Sequence, residues 1–201
     1  GVNTSLCVRG KRILSDFDAE ISEFIMQQMQ EKGVKIIVED FPEKIDLKEN
    51  GYQVFFKNKT RRYEKVMGAL GRVPNISKLK IENAKIKLNL KGAIHTDDLF
   101  KTSAKNIYAI GDVIDKVQLT PVAISEAMTF VNNLKSKDKK KFNYKNIPTA
   151  VFSNPNYAFV GCSENEAKKI YKKIKVYKSQ FRSLKFSMSK LKEKVLIKLI
   201  T

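Results

Sequence analysis

The sequence predicts an α/β protein whose first third contains a parallel βαβ unit. A β-rich run over 4–8 precedes a helix predicted over 18–32, and an apolar, β-branched strand follows over 34–39. Strand, helix and strand at this distance are typical of two parallel strands joined by a right-handed crossover. Asp18 is the expected N-cap of the helix, and Gly33 marks its end.

Antiparallel hairpins are predicted next, over residues 44–70. The segment alternates apolar and polar residues and is interrupted at Asn50-Gly51 and again near residues 58–60. An Asn-Gly pair is a strong signal for a tight turn between antiparallel strands. The following run at 71–75 contains both glycine and proline, which predicts a domain boundary there.

A buried strand and a proline-opened helix are predicted in the middle of the chain. Residues 106–110 are mostly apolar, which is typical of a fully buried strand. The helix is predicted over 120–134, with Thr120 as its N-cap and Pro121 in its first turn. A lysine-rich linker is expected to follow over 135–146.

The last part of the chain is predicted to contain four strands and one helix. The strands are expected at 147–153, 157–161, 173–181 and 194–201. The helix, over 163–173, opens with Ser163 and Glu166, which have the spacing of a capping box.

The formal net charge of +18 suggests nucleic-acid binding, since clustered lysine and arginine neutralise phosphates. The lysines are nevertheless scattered through every segment, with one short run at 135–141 that is typical of a solvated linker. No nucleic-acid motif with interleaved aromatic residues is recognisable. A basic nucleic-acid-binding protein is therefore kept as the rival hypothesis, while we expect no nucleic-acid partner.

The sequence gives little evidence for a membrane protein, a metal site or a Ser-His-Asp hydrolase. No apolar run is long enough to span a bilayer, and the first residues lack a signal-peptide pattern. Two isolated thiols suit a reducing cytosol, so we expect a cytoplasmic protein. Cys7 and Cys162 stand far apart, and His95 is the only histidine. These counts argue against a metal site and against a Ser-His-Asp triad within the chain.

Arg9 follows the first predicted strand, at the position where a doubly wound sheet binds the ribose of a dinucleotide. An acidic residue there binds the 2′-hydroxyl of NAD, whereas an arginine accepts the 2′-phosphate of NADP. Lys11 and Arg12 stand beside it and add positive charge. The alternative is a solvated basic turn. The glycine-rich loop that holds a pyrophosphate would precede this strand, where the sequence has only Gly1.

Asp112 follows Gly111 at the end of the predicted strand over 106–110. A glycine there lets the backbone approach a ligand closely, and the carboxylate can accept hydrogen bonds from a polyol. The start of the Thr120 helix offers free amides and a positive dipole end. Together these features would suit a flavin with its ribityl chain. The alternative is an aspartate that only terminates a strand.

Four motifs carry a resemblance to a known family: ALGRVPN (69–75), IYAIGDV (107–113), LTPVAI (119–124) and VFSNPNYAFVGCSENEA (151–167). Together they closely resemble the class I pyridine nucleotide–disulfide oxidoreductases and, within them, the glutathione reductases. LTPVAI is similar to the motif of the glutathione, trypanothione and large thioredoxin reductases. RGKRILSDFDAEI (9–21) resembles the NADPH 2′-phosphate segment of bacterial glutathione reductases.

The resemblance implies three-layer, Rossmann-like FAD/NAD(P)-binding domains and the start of an α+β dimer-interface domain. Residues 1–74 would be the later part of the NADPH-binding domain, 75–143 the returning segment of the FAD-binding domain, and 144–201 an incomplete dimerisation domain. The complete enzyme would be a homodimer with FAD and NADPH as cofactors. It would pass a hydride from NADPH to FAD, and electrons onward to a cysteine pair and to glutathione disulfide.

The resemblance also implies roles for single residues. The NADPH positions are Arg9, Gly71, Gln118 and Ala150, and the FAD positions are Asp112 and Thr120. Met128 stands where many glutathione reductases carry an arginine against glutathione, so trypanothione, thioredoxin and related disulfide reductases stay open as alternatives. A second phosphate-binding arginine often falls where this chain has Ser15, and Lys11 or Arg12 can supply that charge.

The family's catalytic groups are expected outside this chain. Its redox-active CxxxxC motif is absent, and Cys7 and Cys162 do not form that pair. The family's His–Glu acid/base pair would lie beyond Thr201, and His95 matches no catalytic position. We therefore expect no catalytic residue here and a fragment that is inactive alone.

Overall fold

The computed structural model describes residues 2–201, and Gly1, which stands before the first predicted strand, lies outside them. The chain divides into two compact units. One unit contains the chain up to Met67 together with Pro148–Thr201, and the other contains Gly68–Ile147. Within residues 2–201, no helix combines the length and the apolar content that a membrane span requires.

The first unit begins with the predicted parallel βαβ arrangement. Strand β1 (Ser5–Cys7) pairs in parallel with β2 (Lys35–Ile37), and helix α1 (Ala19–Glu31) lies between them in the chain. Asp18 caps α1, because its carboxylate accepts a hydrogen bond from the Ile21 amide at 3.3 Å. The prediction for this segment is confirmed.

A three-stranded antiparallel sheet follows in the same unit, as predicted. Its strands are β3 (Lys44–Lys48), β4 (Gly51–Phe56) and β5 (Lys59–Tyr63), with β4 in the centre. Gly51 opens the central strand with φ +115°, and a Cβ there would lie 2.5 Å from the Tyr63 carbonyl oxygen. Only glycine fits this turn, because both the dihedral and the space exclude a side chain.

The second unit is built around one long helix, α2 (Thr120–Lys135). Short 3-10 turns cover Ile81–Ala84 and Gly111–Ile114. The core consists of buried apolar side chains, namely Ile94, Phe100, Ala109 and Ile114. Most of this unit is therefore held by side-chain packing and turns, and little of it by strand ladders.

The prediction of a fully buried strand over 106–110 is wrong. In Gly68–Ile147, all of which the structure describes, strand pairing is limited to two isolated bridges, one of them between Lys101 and Tyr108. Ile107 and Tyr108 are exposed and line an open, mostly apolar groove of about 710 Å³. A buried strand needs neighbours that take up its hydrogen bonds, and the described residues supply one bridge instead of a ladder.

The prediction that Thr120 is the N-cap of α2 is also wrong, by one residue. The amides of Val122 and Ala123 both donate to the Leu119 carbonyl at 3.0 Å, so Leu119 is the N-cap and Thr120 is the first helical residue. Leucine has no polar side chain with which to cap a helix. The backbone geometry at Leu119, and not the capping propensity of threonine, fixes where the helix begins.

From residue 148 the chain returns to the first unit with two antiparallel strand pairs and one short helix. These are β6 (Thr149–Val151) with β7 (Tyr157–Phe159), helix α3 (Glu164–Ile170), and β8 (Val176–Arg182) with β9 (Lys194–Ile200). Ser163 and Glu166 form the predicted capping box at the start of α3. The four strands and the helix predicted for this region are confirmed.

Apolar side chains of α1 form the core of the first unit. Ile21 and Ile25 are buried together with Ile13. Tyr157 of β7 and Leu196 of β9 pack against this cluster. The βαβ segment and the strands near the carboxyl end therefore share one core.

A buried lysine links the same elements electrostatically. The Lys198 side chain is 6% exposed, and its Nζ lies 2.9 Å from carboxylate oxygens of Asp18 and Glu20 and 2.8 Å from one of Glu164. Burial opposes the charged form, but hydrogen bonds to the three carboxylates raise the pKa of Lys198 above its ordinary value. The cation is therefore neutralised by partners from α1 and α3, as a buried charge requires.

Candidate functional site

Arg9 lies two residues beyond β1, where the parallel strand pair ends. The Val8 amide donates to the Ile37 carbonyl at 2.9 Å, which extends the pairing up to this point. The guanidinium of Arg9 lies over the Phe41 ring, 5.0 Å from its centroid, while the residue stays exposed. The cation–π contact therefore holds a positive charge at the carboxyl end of the sheet, where an anionic ligand can reach it.

Two further basic residues follow Arg9. Arg12 donates from Nη2 to the Ser15 carbonyl at 3.0 Å, which brings its guanidinium next to the position where the family often has a second arginine. Lys11 is exposed. The segment after β1 is thus a short basic stretch whose side chains are oriented in part by the local backbone.

The Gly111–Ile114 turn packs closely against the start of α2. Gly111 has φ +74°, and a Cβ there would lie 3.2 Å from the Ala123 Cβ. The dihedral and the close approach both favour glycine at this position. The structure therefore brings Asp112 and the first turn of α2 together, as the sequence predicts.

The Asp112 carboxylate and the Thr120 amide are both available to a ligand. Asp112 is exposed, and its carboxylate has no hydrogen bond or ion pair with any residue from 2 to 201. The Thr120 amide has no acceptor among the same residues, and Pro121 has no amide hydrogen to offer. A carboxylate and a helix N-terminal amide that lack protein partners can each bind a ligand that presents hydroxyls and a polar ring edge.

Glu126 is a residue of this site that the sequence reasoning missed. It lies on α2, is only 1% exposed, and accepts hydrogen bonds from the Gly111 amide at 2.5 Å and from the Tyr144 hydroxyl at 2.6 Å. A signal was present in the sequence, since Glu126 lies one helical turn after the buried Val122 and hence on the buried face. A charged residue on the buried face of a helix is unusual and points to a specific partner.

The remaining predicted site residues are spread over both units. Gly71 adopts φ +112° with open space around it, Gln118 donates to the Asp115 carboxylate at 2.7 Å, and Met128 is 63% exposed on α2. Ala150 is exposed on β6. Arg9 and Ala150 therefore belong to the first unit, and the other five predicted positions belong to the second.

The two cysteines of the chain are not joined in a disulfide. Cys7 and Cys162 are free thiols, and burial, with a smaller contribution from the Asp40 carboxylate, raises the pKa of Cys7. His95 is exposed. Over residues 2–201, no group of three or more histidine, cysteine or acidic side chains is placed to hold a metal ion.

Comparison with known proteins defines the class of the chain. Residues 1–127 match the family described as pyridine nucleotide-disulphide oxidoreductase, and residues 147–201 match the dimerisation domain of the same family. The chain belongs to the pyridine nucleotide-disulphide oxidoreductase family. The predicted family is therefore confirmed.

Its curated relatives include reductases of two substrate classes. Over 100% of the chain it is 35% identical to a trypanothione reductase of Trypanosoma congolense, covering 42% of that protein. Over 96% of the chain it is 33% identical to a glutathione reductase of Burkholderia cepacia, covering 43% of that protein. The chain thus spans less than half the length of these relatives.

A solved structure with the same fold is the HOCl-induced flavoprotein disulfide reductase RclA from Escherichia coli. It superposes on 100% of this chain with a TM-score of 0.91 at 26% sequence identity, and the match covers 46% of its own length. The α/β fold class is therefore confirmed. The site residues and the three domain ranges stay predictions.

Proposed function

We propose that the complete protein containing this chain is an NADPH-dependent flavoprotein disulfide reductase, with glutathione disulfide as the first candidate substrate. One observation carries the proposal. Neither the Asp112 carboxylate nor the Thr120 amide has a hydrogen-bond partner among residues 2–201, and the Gly111–Ile114 turn that carries Asp112 packs against the first turn of α2 at Ala123. Membership of the family supports the reaction class.

The residues of the turn and of α2 fit an FAD molecule. The Asp112 carboxylate can accept hydrogen bonds from ribityl hydroxyls, and the Thr120 amide can donate to the polar edge of the ring. Gly111 lets the turn that carries Asp112 approach Ala123 of α2 closely, because a Cβ there would lie 3.2 Å from the Ala123 Cβ. When bound, FAD would supply the hydride and electron-transfer chemistry that amino-acid side chains lack.

The segment after β1 fits NADPH better than NADH. The Arg9 guanidinium can bind a 2′-phosphate with two parallel hydrogen bonds, and its contact with Phe41 limits the conformations that it must give up on binding. Arg12, beside the Ser15 carbonyl, can supply the second cation. These side chains would discriminate by charge, since NADH carries a hydroxyl where NADPH carries the phosphate.

The part of this chain in catalysis is to bind and to orient. Arg9 would anchor the adenosine end of the nucleotide, while Gly71, Gln118 and Ala150 would lie along its nicotinamide end. Asp112 and Thr120 would fix the flavin. Correct placement of two reacting rings contributes strongly to catalysis even when no residue of the chain takes part in proton transfer. The cysteine pair and the acid/base pair would come from parts of the protein outside residues 1–201.

The domain assignment belongs to the same proposal. Residues 1–74 would form part of an NADPH-binding domain, 75–143 part of an FAD-binding domain, and 144–201 part of a dimerisation domain of a homodimer. The match of 147–201 to the family's dimerisation domain supports the last assignment. The open groove along Ile107 and Tyr108 supports the second, because the Lys101–Tyr108 bridge is the one strand pairing that this segment makes within residues 2–201. The cytoplasmic location stays a prediction.

The disulfide substrate has a second candidate. Met128, at 63% exposure, presents an uncharged side chain where many glutathione reductases have an arginine. A thioether does not attract a carboxylate as a guanidinium does. This difference, together with the identity to a trypanothione reductase, makes a trypanothione-type disulfide the alternative substrate.

Steady-state kinetics of the complete gene product test the proposal. NADPH oxidation would be followed with glutathione disulfide, with trypanothione disulfide and with oxidised thioredoxin in separate assays. We expect the highest kcat/KM with glutathione disulfide. If no disulfide supports NADPH oxidation, the proposal fails, and a salt-dependent shift of DNA by the same protein would favour the nucleic-acid rival.

A further inference from the structure

Glu126 joins three separate parts of the second unit through its carboxylate. Oε2 accepts the Gly111 amide at 2.5 Å, and Oε1 accepts the Tyr144 hydroxyl at 2.6 Å. Gly111 opens the turn that carries Asp112, Glu126 itself belongs to α2, and Tyr144 lies in the segment that follows α2. Both carboxylate oxygens are therefore occupied by donors from outside the helix.

The surroundings of Glu126 make these hydrogen bonds strong. The residue is 1% exposed, so water does not compete for either oxygen. Burial, reinforced by the hydrogen bond to Glu126, raises the pKa of Tyr144, so its hydroxyl stays a donor throughout the physiological pH range. The Lys116 ammonium lies over the Tyr144 ring, 5.1 Å from its centroid.

A buried carboxylate at this position is not needed to form the helix. Val122, one turn earlier on the same face, is apolar, and an apolar residue at 126 would bury without a desolvation cost. The carboxylate instead satisfies the buried amide of Gly111, which has no other acceptor among residues 2–201. The role of the Glu126 carboxylate therefore lies at the Gly111 turn.

We propose that Glu126 is a positioning residue for the flavin site, whose carboxylate fixes the Asp112 turn relative to the start of α2. The inference rests on the proposed function, because it assumes that Asp112 and Thr120 hold the flavin. Without Glu126, the Gly111 amide loses its acceptor and the two ligand-binding groups are no longer held at a fixed separation. Flavin binding must then order these two groups, which makes the free energy of binding less favourable.

The test uses the complete protein and two variants at position 126. Glu126→Ala removes both hydrogen bonds, and we expect the Kd for FAD to rise by about tenfold or more. Glu126→Gln keeps the shape: its Oε1 can accept from the Gly111 amide while its Nε2 donates to the Tyr144 oxygen. We expect Glu126→Gln to restore the Kd to within about threefold of the wild type.

Asn133→Ala is the matched control on the same helix. Asn133 is 8% exposed and also makes two hydrogen bonds, both at 2.8 Å, to the backbone of Lys140. Its removal should lower the Tm to a similar degree as Glu126→Ala but leave the Kd for FAD unchanged. Hydrogen exchange of the Gly111 amide, measured on the flavin-free proteins, should accelerate in Glu126→Ala and not in Asn133→Ala.

The possible results distinguish the positioning role of Glu126 from the proposed flavin site. Equal changes in Kd for Glu126→Ala and Asn133→Ala, or unchanged exchange at Gly111, would overturn the positioning role while leaving the flavin proposal intact. A wild-type protein that binds no FAD would overturn the proposed function and this inference together. If Glu126→Ala does not accumulate as folded protein, Glu126→Asp takes its place in the test. This variant shortens the side chain by one methylene, and it must show the same changes in the Kd for FAD and in hydrogen exchange at Gly111.

Discussion

Replacing Asp112 by alanine should weaken FAD binding without weakening the fold. The carboxylate is exposed and has no partner among residues 2–201, so its removal costs no intramolecular hydrogen bond. What is lost is a charge-assisted hydrogen bond to a ligand hydroxyl, which contributes about 1.5–3 kcal/mol. The Kd for FAD should therefore rise by about one to two powers of ten, with Tm of the flavin-free protein unchanged.

Asp115 provides the matched control for this prediction. It lies in the same turn, accepts from Gln118 at 2.7 Å and has φ +50°, which asparagine tolerates well. Asp112→Asn and Asp115→Asn each remove one negative charge from the turn, but only Asp112→Asn should release flavin. Fluorescence titration of the purified proteins with FAD measures both. An Asp112→Ala protein that folds and keeps the wild-type Kd would refute the ligand role.

Three further predictions concern other parts of the chain. Arg9→Ala should raise the KM for NADPH and leave that for NADH nearly unchanged in steady-state assays, since only NADPH has the phosphate; equal losses with both nucleotides would make Arg9 structural. Lys198→Met should cost about 3–5 kcal/mol in denaturant unfolding, because three carboxylates lose their buried partner. Lys168→Met should cost under about 1 kcal/mol, because Lys168 is exposed and Glu164 keeps Lys198 as a partner. Residues 1–201 alone should not turn over glutathione disulfide in an NADPH-oxidation assay, and turnover would contradict the assignment of the catalytic groups to other parts of the protein.

The ion pairs that Lys168 and Lys198 make with Glu164 predict how the free energy of unfolding depends on pH. Hydrogen bonds from Lys168 and then from Lys198 lower the pKa of Glu164 from 4.5 to about 2. A carboxyl group whose pKa is lower in the folded state stabilises the fold above its unfolded pKa and loses that contribution as pH falls through the folded value. Stability measured by urea unfolding should therefore decline from pH 4.5 towards pH 2 in the wild type. The decline should be shallower in Lys198→Met, and an identical profile in both proteins would contradict this linkage.

Elements with local signals were predictable from the sequence. Asp18 and Gly33 bound α1, and Asn50-Gly51 sets the first hairpin, because caps and tight turns depend on residues a few positions apart. Ser163 and Glu166 start α3 for the same reason. In these places the local pattern and the tertiary structure agree.

Elements that depend on distant partners were not predictable. The apolar run over 106–110 has the composition of a buried strand, but a ladder requires neighbours that its own sequence does not encode. Leu119, which has no capping side chain, is the N-cap of α2 because of the backbone path that leads into it. Local propensity is outweighed by tertiary context in both cases.

Some residues of the candidate site were likewise predictable from the sequence, and others were not. Asp112 and Thr120 were recognisable because their motifs resemble those of a known family. Glu126 was not, since a glutamate within a helix usually faces solvent, and only its spacing from Val122 indicates burial. Its partners Gly111 and Tyr144 are 15 and 18 residues away, which no local pattern reveals.

The visible absorbance of the complete protein during reduction tests the central claim most directly. The purified protein should show the absorbance of an oxidised flavin, which NADPH added without oxygen should bleach and a disulfide substrate should restore. NADH at the same concentration should bleach it much more slowly, because it lacks the phosphate that we propose Arg9 binds. A protein without flavin absorbance, or with a flavin that NADPH does not reduce, would contradict the account.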